Sequence, residues 1–221
     1  MIREYKPKDY NAILKLHCDT FLGISRGETY EKKLHGVKSS LGLQQALVCE
    51  VDGKEDEKTS LLGFVVYSYL INDSFSRVNI ENGLSAGNIK NRSQQNIDNI
   101  KSWFKERSGQ AQLGFFQPNE FTTRDVSVNY SDWYVSSLAV HQNHRGQGHG
   151  TDLLEHLVKM AEAKNLNGLS EGEKITAIYA HQYGHQKSLN PFSKVGFRPI
   201  IFWGPLYNDN SPGTLMGKKI K

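Results

Sequence analysis

Cysteine is nearly absent from this chain: the 221 residues contain two, Cys18 and Cys49. Two thiols cannot build a disulfide framework, which points to a reducing compartment, the cytoplasm. No stretch approaches the roughly 18 apolar residues of a membrane span, and Leu61 to Ile71 is too short. The start, Met1-Ile-Arg-Glu-Tyr-Lys, is charged and lacks a signal-peptide core, so the Asn-x-Ser/Thr matches at Asn72, Asn91 and Asn129 carry no weight. An excess of one charge is missing too. The 27 Lys and Arg stand against 23 Asp and Glu, giving a formal net charge of +4, and the charges are spread rather than clustered. Neither a nucleic-acid partner nor a membrane partner is expected. There is no internal repeat. With 38% hydrophobic and 23% charged residues, the chain reads as soluble and globular, built round a single sizeable core.

The apolar spacing suggests a mixed α/β protein. Arg3-Glu-Tyr reads as a short strand, followed by an amphipathic helix from about Asp9 to Phe21 with Ile13, Leu14, Leu16 and His17 near one face. A second helix is expected from Thr29 towards Ser39. The segments 46–51 and 61–71 read as the strands of a hairpin, joined by the polar turn 52–60. From Asn72 to Asp132 the chain is rich in Asn, Ser, Gln and Gly, with one helix expected from about Ser93 to Arg107 and an aromatic patch at Phe115-Phe116. Such a length reads as a surface insertion in a single domain spanning 1–221. A strand at 133–140, a helix to about Asn165, a strand at 174–181, a short helix near 186–195 capped by Gly196, and strands at 197–203 and 214–219 complete the pattern.

The functional signal lies between the strand Trp133-Tyr-Val-Ser-Ser-Leu-Ala-Val140 and the helix beginning at Thr151. There the chain runs Arg145-Gly-Gln-Gly-His-Gly150. Strand, glycine turn and helix start form a device for holding an anion on backbone N–H groups. A dinucleotide fingerprint fails because its third glycine position falls on Thr151, and a P-loop fails for want of Gly-Lys-Ser/Thr. The run satisfies every position of Arg/Gln-x-x-Gly-x-Gly/Ala, the pyrophosphate loop of acyl-CoA-dependent acetyltransferases.

The chain thus resembles the GNAT superfamily of N-acetyltransferases. Leu153-Leu154 and the later Phe192-Ser-Lys-Val-Gly-Phe197 agree with that family's pattern. The resemblance implies a central mixed, mostly antiparallel sheet, splayed where CoA binds and flanked by helices. It implies transfer of acetyl from acetyl-CoA to a primary amine directly, in a ternary complex. Arg145, Gly146, Gln147, Gly148, His149, Gly150 and Thr151 would hold the pyrophosphate. Leu138, Ala139 and Val140 would offer backbone to the pantetheine arm, and His185 and Phe192 would stand at cofactor positions. The acceptor is left open among a small amine, a peptide N-terminus and a lysine. Monomer and homodimer are both open.

The catalytic groups depart from the family pattern. Tyr134 occupies the place where a Glu or His base is usual, and Ser136 is expected on the same side. Phe192 replaces the usual tyrosine acid and cannot donate a proton. His181, as a base at a strand end, Tyr134 and Tyr183 are the candidates for proton handling, beside a relay of waters. Neither Cys18 nor Cys49 is expected near the glycine turn, which disfavours a cysteine relay. His141, His144, His149, His181 and His185 have no Cys or paired carboxylate to complete a ligand set, so no metal is expected. The alternative function is a catalytically weak protein of the same fold that binds acyl-CoA or CoA.

Overall fold

In the computed structural model, described for residues 1–21, 45–51, 61–72, 128–183, 189–203 and 213–221, the strands join into one sheet. They are β1 (Ile2–Glu4), β2 (Gln45–Glu50), β3 (Leu61–Tyr69), β4 (Trp133–Val140), β5 (Ala177–Tyr183), β6 (Arg198–Trp203) and β7 (Gly213–Lys219). Their order is β1-β2-β3-β4-β5-β7-β6. Every neighbouring pair is antiparallel except β4 with β5. The helices are α1 (Tyr10–Phe21), α2 (His149–Leu166) and α3 (Leu189–Lys194). This is the expected mixed, mostly antiparallel sheet flanked by helices.

Two apolar clusters explain the layering. On one face, Leu153, Leu154, Leu157, Val158 and Ala161 form the buried stripe of α2 and pack on Val65, Tyr67, Trp133, Val135, Ile178 and Ala180. On the other, Ile13 and Leu16 of α1 pack on Val48, Phe64, Val66 and Ala139. Strand β3 is therefore buried on both faces, which is why it reads as a continuous apolar run rather than an alternating one. Each fully buried Leu, Ile or Phe contributes roughly 1.5–3 kcal/mol relative to exposure.

Polar side chains fix where the elements begin. Arg3 donates to Asp9 at 2.7 and 2.9 Å and to Glu50 at 2.7 and 3.0 Å, tying β1 to the start of α1 and to β2. Asp9 also accepts from the Lys6 N–H, so it serves the turn before α1 and the helix starts at Tyr10. Strand β5 begins at Ala177, three residues later than the sequence pattern suggests. Asn165 holds both the N–H and the carbonyl of Ile175, and Asp132 takes the N–H groups of Thr176 and Ala177. Those hydrogen bonds take the place of the strand ladder. The helices expected at 29–39 and 93–107, the turn 52–60 and the patch at 115–116 lie outside the described residues.

Candidate active site

The parallel pair β4–β5 is short. Its partners are Trp133 with Ile178, Tyr134 with Tyr179 and Val135 with Ala180. Beyond that rung both strands continue, β4 to Val140 and β5 to Tyr183, each still paired on its outer side. They diverge into a gap. Along 136–140 the edge of β4 that faces β5 has no strand partner among the described residues, so the main chain of Leu138 and the N–H of Val140 are turned to the gap, while Ala139 between them turns its main chain to β3. On the β3 side the approach is very close: a Cβ on Gly63 would lie 2.8 Å from the Ala139 carbonyl oxygen. Only glycine permits β3 to hold the end of β4 in that position.

The glycine turn closes the mouth of the gap. Gly146 and Gly148 have φ of +81° and +96°, conformations that a side chain disfavours by about 1–2 kcal/mol. Gly148 is the N-cap of α2, and its carbonyl accepts from Thr151 and Asp152. Among the described residues, none of the N–H groups from Gly146 to Gly150 has an acceptor. A run of unpaired donors at the positive end of an 18-residue helix is suited to a phosphate. Arg145 is exposed and donates from Nε to the Val140 carbonyl at 3.1 Å, which staples the turn to the end of β4. Gln147 donates to the Asn143 carbonyl at 3.4 Å.

At the apex of the gap, on the face turned towards α1, the Tyr134 hydroxyl lies 2.9 Å from Nδ1 of His181. Burial pushes the His181 proton affinity down to about 4, so its imidazole is neutral at physiological pH. Beneath the pair, Asp132 is fully buried and anchors β5 to β4. Its Oδ1 accepts from Thr176 N, Thr176 Oγ1 and Ala177 N at 2.7–2.9 Å, and its Oδ2 from Asn129 N at 3.1 Å. Burial pushes the Asp132 carboxyl up against these donors.

Residues 92–183 match the Acetyltransferase (GNAT) family. That stretch, less than half of the chain, is similar to the acetyltransferase domain of this family. The match starts within the segment expected as an insertion and runs through the glycine turn to the end of β5. Solved structures of the same fold include NAA60 of Arabidopsis thaliana in complex with acetyl-CoA, with TM-score 0.55, 14% identity, and coverage of 100% of this chain and 98% of that one. The ribosomal-protein-S18-alanine N-acetyltransferase of Escherichia coli aligns with TM-score 0.51 and 10% identity over 100% and 94% of the two chains. Ard1 of Thermoplasma volcanium gives 0.52 and 14% over 100% and 97%. At these identities the likeness establishes the fold. No curated protein sequence matches the chain.

The structure brings together most of the residues singled out from sequence. Leu138 and Val140 line the gap, whereas Ala139 turns its main chain to β3. Residues 145–151 form the mouth of the gap, and Tyr134 and His181 form its apex. Tyr183 ends β5, while His185 lies outside the described residues. Phe192 is 6% exposed and stacks edge-on against Phe197 with ring centroids 5.2 Å apart, so it belongs to the core beside α2. A cofactor would meet at most its edge.

Strand β4 is irregular at Ser136, where a bulge falls between its neighbours: Ser137 pairs with Val66 and Val135 with Tyr67. Ser136 becomes the extra, exposed residue and donates to the Val66 carbonyl, while Ser137 turns to the α1 face. Cys49 is closer to the turn than expected. Its Sγ lies 3.9 Å from Nδ1 of His149, since β2 runs beside the start of α2. At 4% exposure that thiol serves as packing. Among the described residues no three His, Cys, Asp or Glu side chains converge to hold a metal ion. Nor is any described helix long and apolar enough to cross a membrane.

Proposed function

We propose that this chain is an acetyl-CoA-dependent N-acetyltransferase acting on a primary amine by direct transfer in a ternary complex. The single observation that carries the reading is the juxtaposition of the glycine turn, with its unpaired N–H groups, and the open edge of β4 that leads from it to Tyr134. The turn fits a pyrophosphate, and the open edge fits an amide-bearing arm that adds to the sheet as a strand would. The structural relative in complex with acetyl-CoA supports the same donor. The acceptor class stays among a small amine, a peptide N-terminus and a lysine side chain, and the S18-alanine N-acetyltransferase of the same fold supports testing a peptide.

The chain's own residues then divide the work. Backbone N–H groups near Val140 that face the gap stabilise the developing oxyanion. Phe192 cannot supply a proton to the leaving thiolate. The Tyr134 hydroxyl stands at the apex instead, and it is this group that donates to the sulfur. A phenol, with an ordinary pKa of about 10, is matched in proton affinity to a thiol of about 8.5. Neutral His181 orients that hydroxyl through Nδ1. Its low proton affinity makes it a poor sink for a proton leaving an ammonium group of pKa about 10.4.

The direct test is thiol release from acetyl-CoA in the presence of three acceptors: a peptide with a free N-terminus, an N-blocked lysine peptide and a small primary amine. Amine-dependent release supports the reading. Tight CoA binding with no turnover on any of the three would leave a CoA-binding protein without transferase activity.

A further inference from the structure

A second polar pair faces the gap from the α1 side. His17, half-exposed in the middle of α1, has its Nδ1 3.3 Å from Oγ of Ser137 on β4. Phe21 and Phe64 hold the imidazole, with ring centroids at 4.7 and 6.2 Å. Ser137 is two residues past Val135, the last residue of β4 to pair with β5, and so lies on the first open stretch of the strand. Strict alternation from Trp133 and Val135 would point residue 137 at α2. The bulge at Ser136 reverses that phase and puts Ser137 on the face that also carries Tyr134 and His181. The apolar cluster of Ile13, Leu16, Phe64 and Ala139 lies between α1 and this face of the sheet, and Ser137 and His17 are half-buried polar side chains on the same face. A strand irregularity that re-aims one polar side chain onto another, beside an open site, marks a functional position.

We propose that Ser137 and His17 carry the proton away from the attacking amine, with Ser137 touching the acceptor and His17 positioning the Ser137 hydroxyl and taking its proton. The inference rests on the acetyl-transfer reading above and adds the base that this reading lacks. The amine nitrogen bonds to the thioester carbonyl carbon while its N–H proton passes to Ser137 Oγ. The Ser137 proton moves at the same time to Nδ1 of His17. The C–S bond then breaks, its electron pair leaves on sulfur, and the sulfur takes a proton from Tyr134. Half-exposed His17 releases its proton to water and Tyr134 regains one, so amine and thioester become amide and thiol. The two pairs divide the chemistry, with acid at Tyr134–His181 and base at Ser137–His17.

The test measures kcat and KM with acetyl-CoA and the same three acceptors for wild type, Ser137→Ala, Ser137→Thr, His17→Ala and His17→Gln. Ser137→Ala and His17→Ala should each lower kcat about a hundredfold, the size of a general-base contribution. The KM for acetyl-CoA should stay within about twofold, since neither residue lies at the phosphate turn. Ser137→Thr, which keeps the hydroxyl, should retain most of the activity, and added imidazole should restore part of the turnover of His17→Ala. A merely structural role would show neither rescue. Should His17→Ala fail to fold, His17→Gln and the Ser137 variants decide the matter by the same kcat criterion. Wild-type turnover left unchanged by Ser137→Ala, or a loss that neither threonine nor imidazole repairs, overturns this inference alone. A wild type inert towards all three acceptors overturns the acetyl-transfer reading and this inference together.

Discussion

The Tyr134 hydroxyl and Nδ1 of His181 meet at 2.9 Å, with their rings edge to face, where the parallel ladder between β4 and β5 ends. The pair joins the two walls of the gap at its apex. It also carries a thermodynamic signature, because burial lowers the His181 proton affinity to about 4. An unfolded histidine takes its proton near pH 6.5, whereas the folded protein resists until about pH 4. Stability is therefore full above pH 6.5 and falls as the pH drops towards 4, by at most about 3 kcal/mol from this group. Urea unfolding of wild type and His181→Asn at pH 7, 5.5 and 4.5 measures it. The variant should lose this part of the pH dependence; parallel pH profiles would show that His181 is not the buried neutral group described above.

Gly148 combines a φ of +96° with a place at the start of α2. Gly148→Glu adds backbone strain of about 1–2 kcal/mol and sets a negative charge where a pyrophosphate is proposed to bind. CoA affinity should fall at least about a hundredfold, or roughly 3 kcal/mol. Titration calorimetry with CoA reads this directly. Unaltered affinity would remove the turn from the donor site.

Asp132 tests the scaffold beneath the apex. Asp132→Ala leaves the buried N–H of Ala177 and the part-buried N–H of Thr176 without their acceptor and should cost about 3 kcal/mol. Asp132→Asn is expected to be much milder, about 1 kcal/mol, because three of the four donors converge on Oδ1, which an amide oxygen replaces. Only Asn129 N, bonded to Oδ2, would then face a donor. The comparison by urea unfolding separates hydrogen-bond geometry from charge. Equal losses in the two variants would show that the charge itself matters.

Much of this architecture was legible in the residue pattern. Period and length located β2, β3, β4, α1 and α2 to within a few residues, since each buries one continuous apolar set. The glycine turn was legible because its chemistry lies in consecutive residues. Contacts between distant segments were not. The pairing of His17 with Ser137 spans 120 residues and depends on one bulged residue, Ser136, which has no sequence signature. The closeness of Cys49 to His149 follows from where β2 lies in the sheet order. The late start of β5 at Ala177 reflects side-chain capture by Asp132 and Asn165, which overrides the apolar run at Ile175. Phe192 illustrates the converse: its place in a family motif was clear, yet its neighbour Phe197 draws the ring into the core.

Everything proposed for the site rests on one claim, that the gap between β4 and β5 delivers an acetyl group to an amine. The most direct measurement is free-thiol release from acetyl-CoA by wild type and Tyr134→Phe, with and without each of the three acceptors. Wild type should release thiol in proportion to added amine for at least one acceptor, and Tyr134→Phe should lower kcat at least tenfold with acetyl-CoA affinity retained, a modest share of a general-acid contribution of about 10² to 10⁴. Thiol release that is absent with every amine, from a wild type that binds acetyl-CoA, would contradict the account.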